Sequence, residues 1–449
     1  MAASPLTAEF TAADFAAALE PLLPAGAPPA LAVACSGGSD SLALALLARD
    51  WAAARGVRLI ALVVDHGLRP DSAREAETVR SRLADCGVEA LVLRDPAWPG
   101  PVPGDGGVQA AARTLRYRLL LAACRAQDTP VLALAHHLED QAETVLLRLA
   151  RGSGVDGLSA MAPAVEWGGV RLVRPLLDAP KASLRATVRA AGMDWVEDPF
   201  NRDPRFERAR LRAAAPTLEA LGLDARALSR TARRMARARD ALERATDDLL
   251  AGAAQWRREG YALIDAAALA AAPEEAALRA LSRIICRTGG RLHPPRLDRL
   301  ERLHAALVGS GGLGAGRTLA GVALRPRRDG RLLIHREPAA ARERVPVAAD
   351  LLWDGRFRLR FEAPDPAFEV RALGRDGWSQ LRRADPAAGA AGAALPGPVR
   401  LALPAVWRTG PRSGETAVLV GAPHLQGARA LVDGAPAPRS VVFAGPRAV

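Results

Sequence analysis

Leu31-Ala32-Val33-Ala34-Cys35-Ser36-Gly37-Gly38-Ser39-Asp40-Ser41 is the stretch on which the fold turns. Its first five residues read as a short buried strand. Two glycines then make a tight turn, and Ser41 to Ala54 reads as a helix with Leu42, Leu46 and Leu47 on one face. A serine or aspartate after a strand often does no more than cap a helix. Here the whole hexapeptide sits between strand and helix, which suits a phosphate cradle better. Glycine lets backbone N–H groups approach an oxyanion closely, and a helix start offers unpaired N–H donors beside serine hydroxyls. No Gly-Lys-Ser/Thr follows, so this is not a Walker loop. A carboxylate such as Asp40 beside a phosphate calls for a cation between them.

Working outward, Leu59 to Asp65, Ala90 to Leu93 and Val131 to His136 read as further apolar strands. Asp71 to Cys86, Val108 to Arg125 and Leu138 to Arg151 read as helices. Apolar strands separated by helices predict an α/β fold with a parallel sheet covered on both faces, a doubly wound sheet. Trp98 to Gly107 is rich in turn formers and reads as a loop.

A second constellation is Ala135-His136-His137-Leu138-Glu139-Asp140-Gln141-Ala142-Glu143-Thr144. It lies where a strand gives way to a helix, at the carboxyl end of the sheet where open α/β folds bind ligands. Asp140 and Glu143 are three residues apart and share a helix face. Two such carboxylates can hold a metal, orient an amine, or simply complement the helix dipole. No cysteines gather near His136 and His137, which disfavours zinc.

The 449 residues amount to 47.2 kDa, with 49% hydrophobic and 24% charged residues, which excludes a mainly disordered or collagen-like chain. No run of about 20 apolar residues predicts a membrane span. The segment Met1 to Leu22 lacks the basic start of a secretory signal. Cys35, Cys86, Cys124 and Cys286 are scattered, and a cytoplasmic location is expected. The formal net charge is +12, which favours a polyanionic partner. From 201 to 245, twelve arginines stand against six acidic residues, a basic face for a nucleic acid or for solvent. Composition changes after Asp198-Pro199; the helical, Arg-rich segment from Arg205 is expected to break at Pro216, with Leu218, Leu221, Leu228 and Met235 inward. Ala266 to Cys286 reads as helix, and Arg317 to Glu337 as a hairpin around Asp329-Gly330. The expected divisions are 1–214, a helical 215–311, and a small α+β 312–449.

Ser36 to Ser41 resembles the PP-loop of the N-type ATP pyrophosphatases, an adenine-nucleotide α-hydrolase-like fold. The His136-His137-x-x-Asp140-Gln141-x-Glu143-Thr144 run resembles the signature of that superfamily's tRNA-modifying branch. Gln109-Ala-Ala-Ala-Arg113-x-x-Arg116-Tyr117 and Asp65-His66-Gly67-Leu68-Arg69 resemble two more of its motifs. The run from Asp198 through Asn201, Asp203, Phe206, Arg208 and Arg212 is similar to one in the tRNA(Ile)-lysidine synthetase family, with Ala209 and Phe200 as departures. His293 to Leu300, Gly316 to Gly321 and Trp353 to Phe357 resemble that family's later domains more weakly.

The resemblance implies ATP as substrate, with Ser36, Gly37, Gly38, Ser39, Asp40 and Ser41 gripping its phosphates and Asp40 near Mg²⁺. It implies adenylation of the wobble cytidine of an isoleucine tRNA with a CAU anticodon, followed by attack of free L-lysine to give lysidine, AMP and diphosphate. Asp40, Arg113, Asp140 and Glu143 are then the expected catalytic residues, and Arg205, Arg208, Arg210 and Arg212 the expected tRNA contacts. No membrane partner is expected, and a homodimer is compatible with the resemblance. The alternative is another PP-loop tRNA-modifying enzyme, such as a sulfurtransferase, which needs paired active-site cysteines. A non-catalytic RNA-binding relative or a small-molecule AMP-forming ligase would leave the intact loop or the basic second half unexplained.

Overall fold

The computed structural model describes residues 9–26, 28–67, 71–98, 108–196, 205–310, 312–408, 417–426, 431–432 and 436–444. Leu68 and Arg69, most of the Trp98 to Gly107 loop, the Asp198 to Asp203 run with Phe200, and the Gln109 side chain lie outside the described residues. Backbone packing divides the chain into two units, Met1–Arg239 and Asp240–Val449.

The first unit contains α1 (Ala12–Leu19), β1 (Ala30–Ala34), α2 (Ser39–Arg55), β2 (Arg58–Val64), α3 (Ser72–Asp85), β3 (Ala90–Leu93), α4 (Val108–Ala126), β4 (Val131–Ala133), α5 (Leu138–Ala150), α6 (Val155–Leu158), β5 (Ala164–Trp167), β6 (Val170–Val173), α7 (Lys181–Ala190) and α8 (Glu207–Ala220). A further helix, α9 (Ala225–Ala253), follows. The sheet order is β3-β2-β1-β4-β6-β5. Neighbours from β3 through β6 are parallel, and β5 alone runs antiparallel, as an edge hairpin with β6.

Strand alternation fills both faces. Leu31, Val33, Ala61, Val63 and Val131 pack with Leu44, Leu47, Val79, Leu184 and Val188, so α2, α3 and α7 share one face. Ala32, Ile60, Leu62 and Leu132 pack with Tyr117, Leu120 and Leu121 of α4 on the other. This is the doubly wound sheet that the apolar strands predict. The chain leaves β1 toward β2 on one side and reaches β4 on the other, so the switch point lies between β1 and β4. The loops after both strands carry the two motifs.

Three sequence expectations need correction. Pro216 lies inside α8; the helix ends instead at Leu221 and Gly222, where Gly222 takes φ +81° and Leu223 N–H donates to Leu218 O at 2.9 Å. That ending turns Leu221 outward, 73% exposed, while Leu228 is buried as expected. Ala266 to Cys286 is two helices, α10 (Ala266–Ala271) and α11 (Glu274–Gly289), separated at Ala272 and Pro273 because proline cannot continue the ladder.

The second unit has a five-stranded antiparallel sheet ordered β7 (Ala254–Arg257), β8 (Tyr261–Asp265), β11 (Arg331–Arg336), β10 (Val322–Pro326) and β9 (Arg317–Leu319). Strands β10 and β11 form the expected hairpin, with Gly330 at φ +77°. Leu281, Ile284 and Ile285 of α11 and Leu300 and Leu303 of α12 (Leu297–Val308) pack on it. Beyond it come a four-stranded sheet, from Val345–Pro346, Phe368–Ala372, Pro404–Arg408 and Val418–Gly421, and a three-stranded one, from Asp350–Trp353, Phe357–Phe361 and Pro438–Phe443.

Candidate active site

The loop after β1 is built to leave donors open. Helix α2 starts at Ser39 with Gly38 as its cap residue, and no side chain caps it. Its first-turn N–H groups are therefore available to an anion. The serines instead hold the loop in shape. Ser41 Oγ accepts from Ser36 N–H at 3.1 Å and donates to Gly38 O at 3.0 Å, while Ser39 Oγ donates to Asp40 Oδ1 at 3.0 Å.

The two glycines serve different ends. Gly37 sits at φ +81°, and a Cβ there would meet Val79 Cγ2 of α3 at 2.4 Å. Both the backbone angle and the wall of α3 require glycine. A Cβ on Gly38 would meet nothing closer than 3.9 Å. The packing around that position does not by itself demand glycine.

Across the switch point, α5 presents its acidic tip to this loop through His137. His137 Nε2 lies 3.4 Å from Asp40 Oδ2 and 3.5 Å from Asp140 Oδ2, and Nδ1 lies 2.9 Å from Glu139 Oε2. Burial alone would lower the His137 pKa, but the hydrogen bonds to Asp40 and Glu139 and the charge of Asp140 override it and raise it to about 9. The imidazole is therefore a buried cation joining the two motifs. Lys181, the first residue of α7, places Nζ 3.2 Å from Asp40 Oδ2. Burial would raise the Asp40 pKa; His137 first, then Lys181 and Ser39, outweigh it and hold the carboxyl far below the usual range. Glu139 accepts from Lys181 N–H at 3.0 Å, which ties α7 to α5.

Asp140 and Glu143 are buried and share a helix face, as their spacing predicts. Their partners are arginines of α8. Arg212 Nε donates to Glu143 Oε1 at 2.6 Å, and Arg208 Nη1 lies 3.4 Å from both Asp140 Oδ1 and Glu143 Oε2. Burial opposes the charge on Arg212, but Glu143, Asp140 and Asp40 raise its pKa. Gln141 exchanges hydrogen bonds with the Met161 backbone at 2.9 and 3.0 Å, fixing the rotation of α5.

A cavity of about 380 Å³ opens between these groups. Gly38, Asp40, His137, Glu143, Lys181 and Arg212 line its polar side, and Trp195, Leu218 and Leu228 lie on its apolar side. Of the expected site residues, Gly38, Ser39, Asp40 and Glu143 line it, and Asp140 is joined to Asp40 through His137. Arg113 does not line this cavity; it lies over the Tyr117 ring, 4.9 Å from its centroid. Arg205, Arg208 and Arg210 are exposed and Arg212 is half-buried; Arg208 and Arg212 reach the acids. Sequence reasoning missed Lys181, His137 as a bridge, and Glu139. A signal for Lys181 existed, because it is the one lysine among 61 Lys and Arg residues.

Asp65 organises the neighbouring strand end. Its Oδ1 accepts from Ser72 Oγ at 2.6 Å and from Gly67 N–H at 3.0 Å, and its Oδ2 from Arg94 Nε at 2.9 Å.

An uncapped glycine turn facing an acidic helix tip at the switch point defines a PP-loop ATP-binding protein, and a family model described as "PP-loop domain" matches residues 11–218. Curated relatives carry the name tRNA(Ile)-lysidine synthase, among them the following three. The one from Bradyrhizobium diazoefficiens is 46% identical over 291 residues, 62% of this chain and 78% of the relative. That from Methylobacterium nodulans is 44% identical over 347 residues, 75% and 98%. That from Ruegeria pomeroyi is 39% identical over 377 residues, 79% and 84%. The chain belongs to the tRNA(Ile)-lysidine synthase family.

Proposed function

We propose that this chain joins free L-lysine to the wobble cytidine of isoleucine tRNA bearing a CAU anticodon, consuming ATP and releasing AMP and diphosphate. The observation that carries the reading is the meeting of the open N-terminus of α2 with the acidic tip of α5, bridged by His137. The products of the first step are an adenylated cytidine O2 and diphosphate. In the second, the lysine ε-amine adds at C2, AMP leaves, and the ammonium proton passes to a base.

The residues divide this work. Amides of the first turn of α2 grip the phosphates, the Ser36, Ser39 and Ser41 hydroxyls hold the turn that presents those amides and release to the phosphates as they enter, and Gly38 admits them closely. Lys181 and His137 add positive charge where diphosphate departs. Asp140 and Glu143 receive the lysine ammonium, exchanging it for the guanidinium groups of Arg208 and Arg212, and one of them accepts the proton. Arg113 contributes positive charge from the α4 side. Arg205 and Arg210 on the exposed edge of α8, with Arg208 and Arg212 behind them, contact the tRNA, together with surfaces in 215–311 and 312–449.

Among the described residues no three His, Cys, Asp or Glu side chains form an all-protein cation cage. Mg²⁺ needs none: one ionised carboxylate with substrate phosphates suffices, and Asp40 is such a carboxylate. When bound there, Mg²⁺ supplies charge neutralisation for the phosphates. No described helix is long and apolar enough to cross a membrane, and a tRNA substrate supports a cytoplasmic location.

The test is incubation with ATP, labelled lysine and isoleucine tRNA transcripts carrying C or U at the wobble position. Label is expected in the C transcript only, with AMP and diphosphate released in step. Absence of label from both transcripts rejects the reading.

A further inference from the structure

His137 faces Asp40, but its neighbour His136 feels the charges of a different set of groups. These are Arg113 and Arg116 of α4 and Arg174 just after β6. The three arginines gather around the buried Tyr117. Arg113 Nη2 donates to the Tyr117 hydroxyl at 3.4 Å, Arg116 lies over the ring at 5.7 Å, and Arg174 interacts electrostatically with the tyrosine. Among the described residues, no carboxylate pairs with any of the three. Cations crowded without a counter-ion are costly, and a bound oxyanion relieves that cost.

Two more atoms point the same way. His136 Nδ1 and Arg174 Nε are buried with no hydrogen-bond partner. Unsatisfied buried polar atoms call for a missing partner. Burial, and then the nearby arginines, push the His136 pKa down to about 3 against the pull of Asp140. The imidazole is therefore neutral and able to donate a hydrogen bond without adding to the crowded charge. Arg174 Nη1 is anchored on Ala162 O at 2.7 Å, which fixes the guanidinium in place.

We propose that His136, Arg116 and Arg174, together with Arg113, bind a phosphodiester of the tRNA backbone beside the nucleotide being modified; this rests on the tRNA reading above. The triphosphate of ATP is the other source of the same chemistry. It already has the open turn of α2 and Lys181, and none of these four residues lines the cavity that Asp40, His137 and Lys181 share. Arg113 and Arg116 are exposed, within reach of a polymer. Asp140 touches both settings: it interacts electrostatically with His136 and accepts from His137 N–H at 3.2 Å. A phosphate held by His136 would place its nucleotide beside the carboxylate that meets the lysine amine.

The experiment compares the full chain with Arg174→Ala, Arg174→Lys and Arg116→Ala. Isoleucine tRNA binding is measured by fluorescence anisotropy across a salt series, and ATP binding by equilibrium dialysis. Each alanine variant should weaken tRNA binding about three- to tenfold and flatten the slope of log affinity against log salt by about 0.7, the value for one single-strand phosphate contact. ATP affinity should stay within about twofold, and Arg174→Lys should recover part of the loss. If Arg174→Ala fails to fold, the exposed Arg116→Ala decides. Loss of ATP affinity with tRNA binding intact would assign the cluster to the triphosphate and overturn the proposal. No change in either would make it a structural charge cluster and overturn it too. Failure of the wild-type chain to incorporate lysine would strike the proposed reaction instead, because the salt slope reads the phosphate site without turnover.

Discussion

Lys181 Nζ lies 3.2 Å from Asp40 Oδ2, so the chain's single lysine neutralises the carboxylate of the nucleotide loop. A lysine here is a compact point charge that can shift from carboxylate to phosphate as substrate enters. Lys181→Ala should cut diphosphate release in the presence of tRNA about 100-fold or more, the scale of losing one preorganised charge. Single-turnover release measured at saturating ATP checks this, and an unchanged rate would remove Lys181 from the reaction.

Asp40→Ala should abolish lysine incorporation while leaving the far-UV circular dichroism unchanged. The same loss should follow from chelating divalent cations in the wild type, and added Mg²⁺ should restore it. Turnover by the variant at the wild-type rate would exclude Asp40 as phosphate or cation partner.

The bridge through His137 is pH-sensitive. Its folded pKa is about 9, above the unfolded value of about 6.5. The bridge therefore contributes its full stability below about pH 6.5 and loses it as pH rises through about 9. His136 acts oppositely, because its folded pKa of about 3 makes the folded state resist protonation as pH falls below about 6.5. Denaturant melts of wild type and His137→Gln should differ most at pH 6 and converge near pH 10. A constant difference across that range would show that His137 is neutral in the fold.

Arg212 Nε sits 2.6 Å from Glu143, whose side chain is nearly inaccessible. Arg212→Ala leaves that carboxylate without its nearest cation and should destabilise the fold by about 1–3 kcal/mol. Glu143→Gln in the same chain should return part of it. Kinetically, Glu143→Gln should raise the KM for lysine about tenfold or more and leave the KM for ATP near its original value. A rise confined to ATP would move Glu143 out of the lysine site.

The elements that set the fold are local in sequence, and most of them could be read there. Leu31 to Ser41 shows an apolar strand, a glycine turn and a helix within eleven residues, and the His136 to Thr144 run shows another junction of the same kind. What could not be read depends on contacts between distant segments. Lys181 reaches Asp40 from more than a hundred residues away, and nothing near it marks it as a partner. Arg208 and Arg212 look in sequence like members of a solvent-facing basic run; only the packing of α8 turns them toward Asp140 and Glu143. The two adjacent histidines look equivalent, and the fold separates them, one to a carboxylate and one to arginines. Pro216 misled because a proline lacks only one ladder bond, and surrounding contacts can carry a helix past it.

The valine behind the loop gives the protein a silent weak point. Val79 belongs to a helix whose job is packing, yet its methyl group fills the space that a side chain on residue 37 would need. A bulkier residue at 79 would press on the turn from behind and spoil nucleotide handling. A screen would score such a lesion as a substrate-binding defect, although the altered atom never meets the substrate.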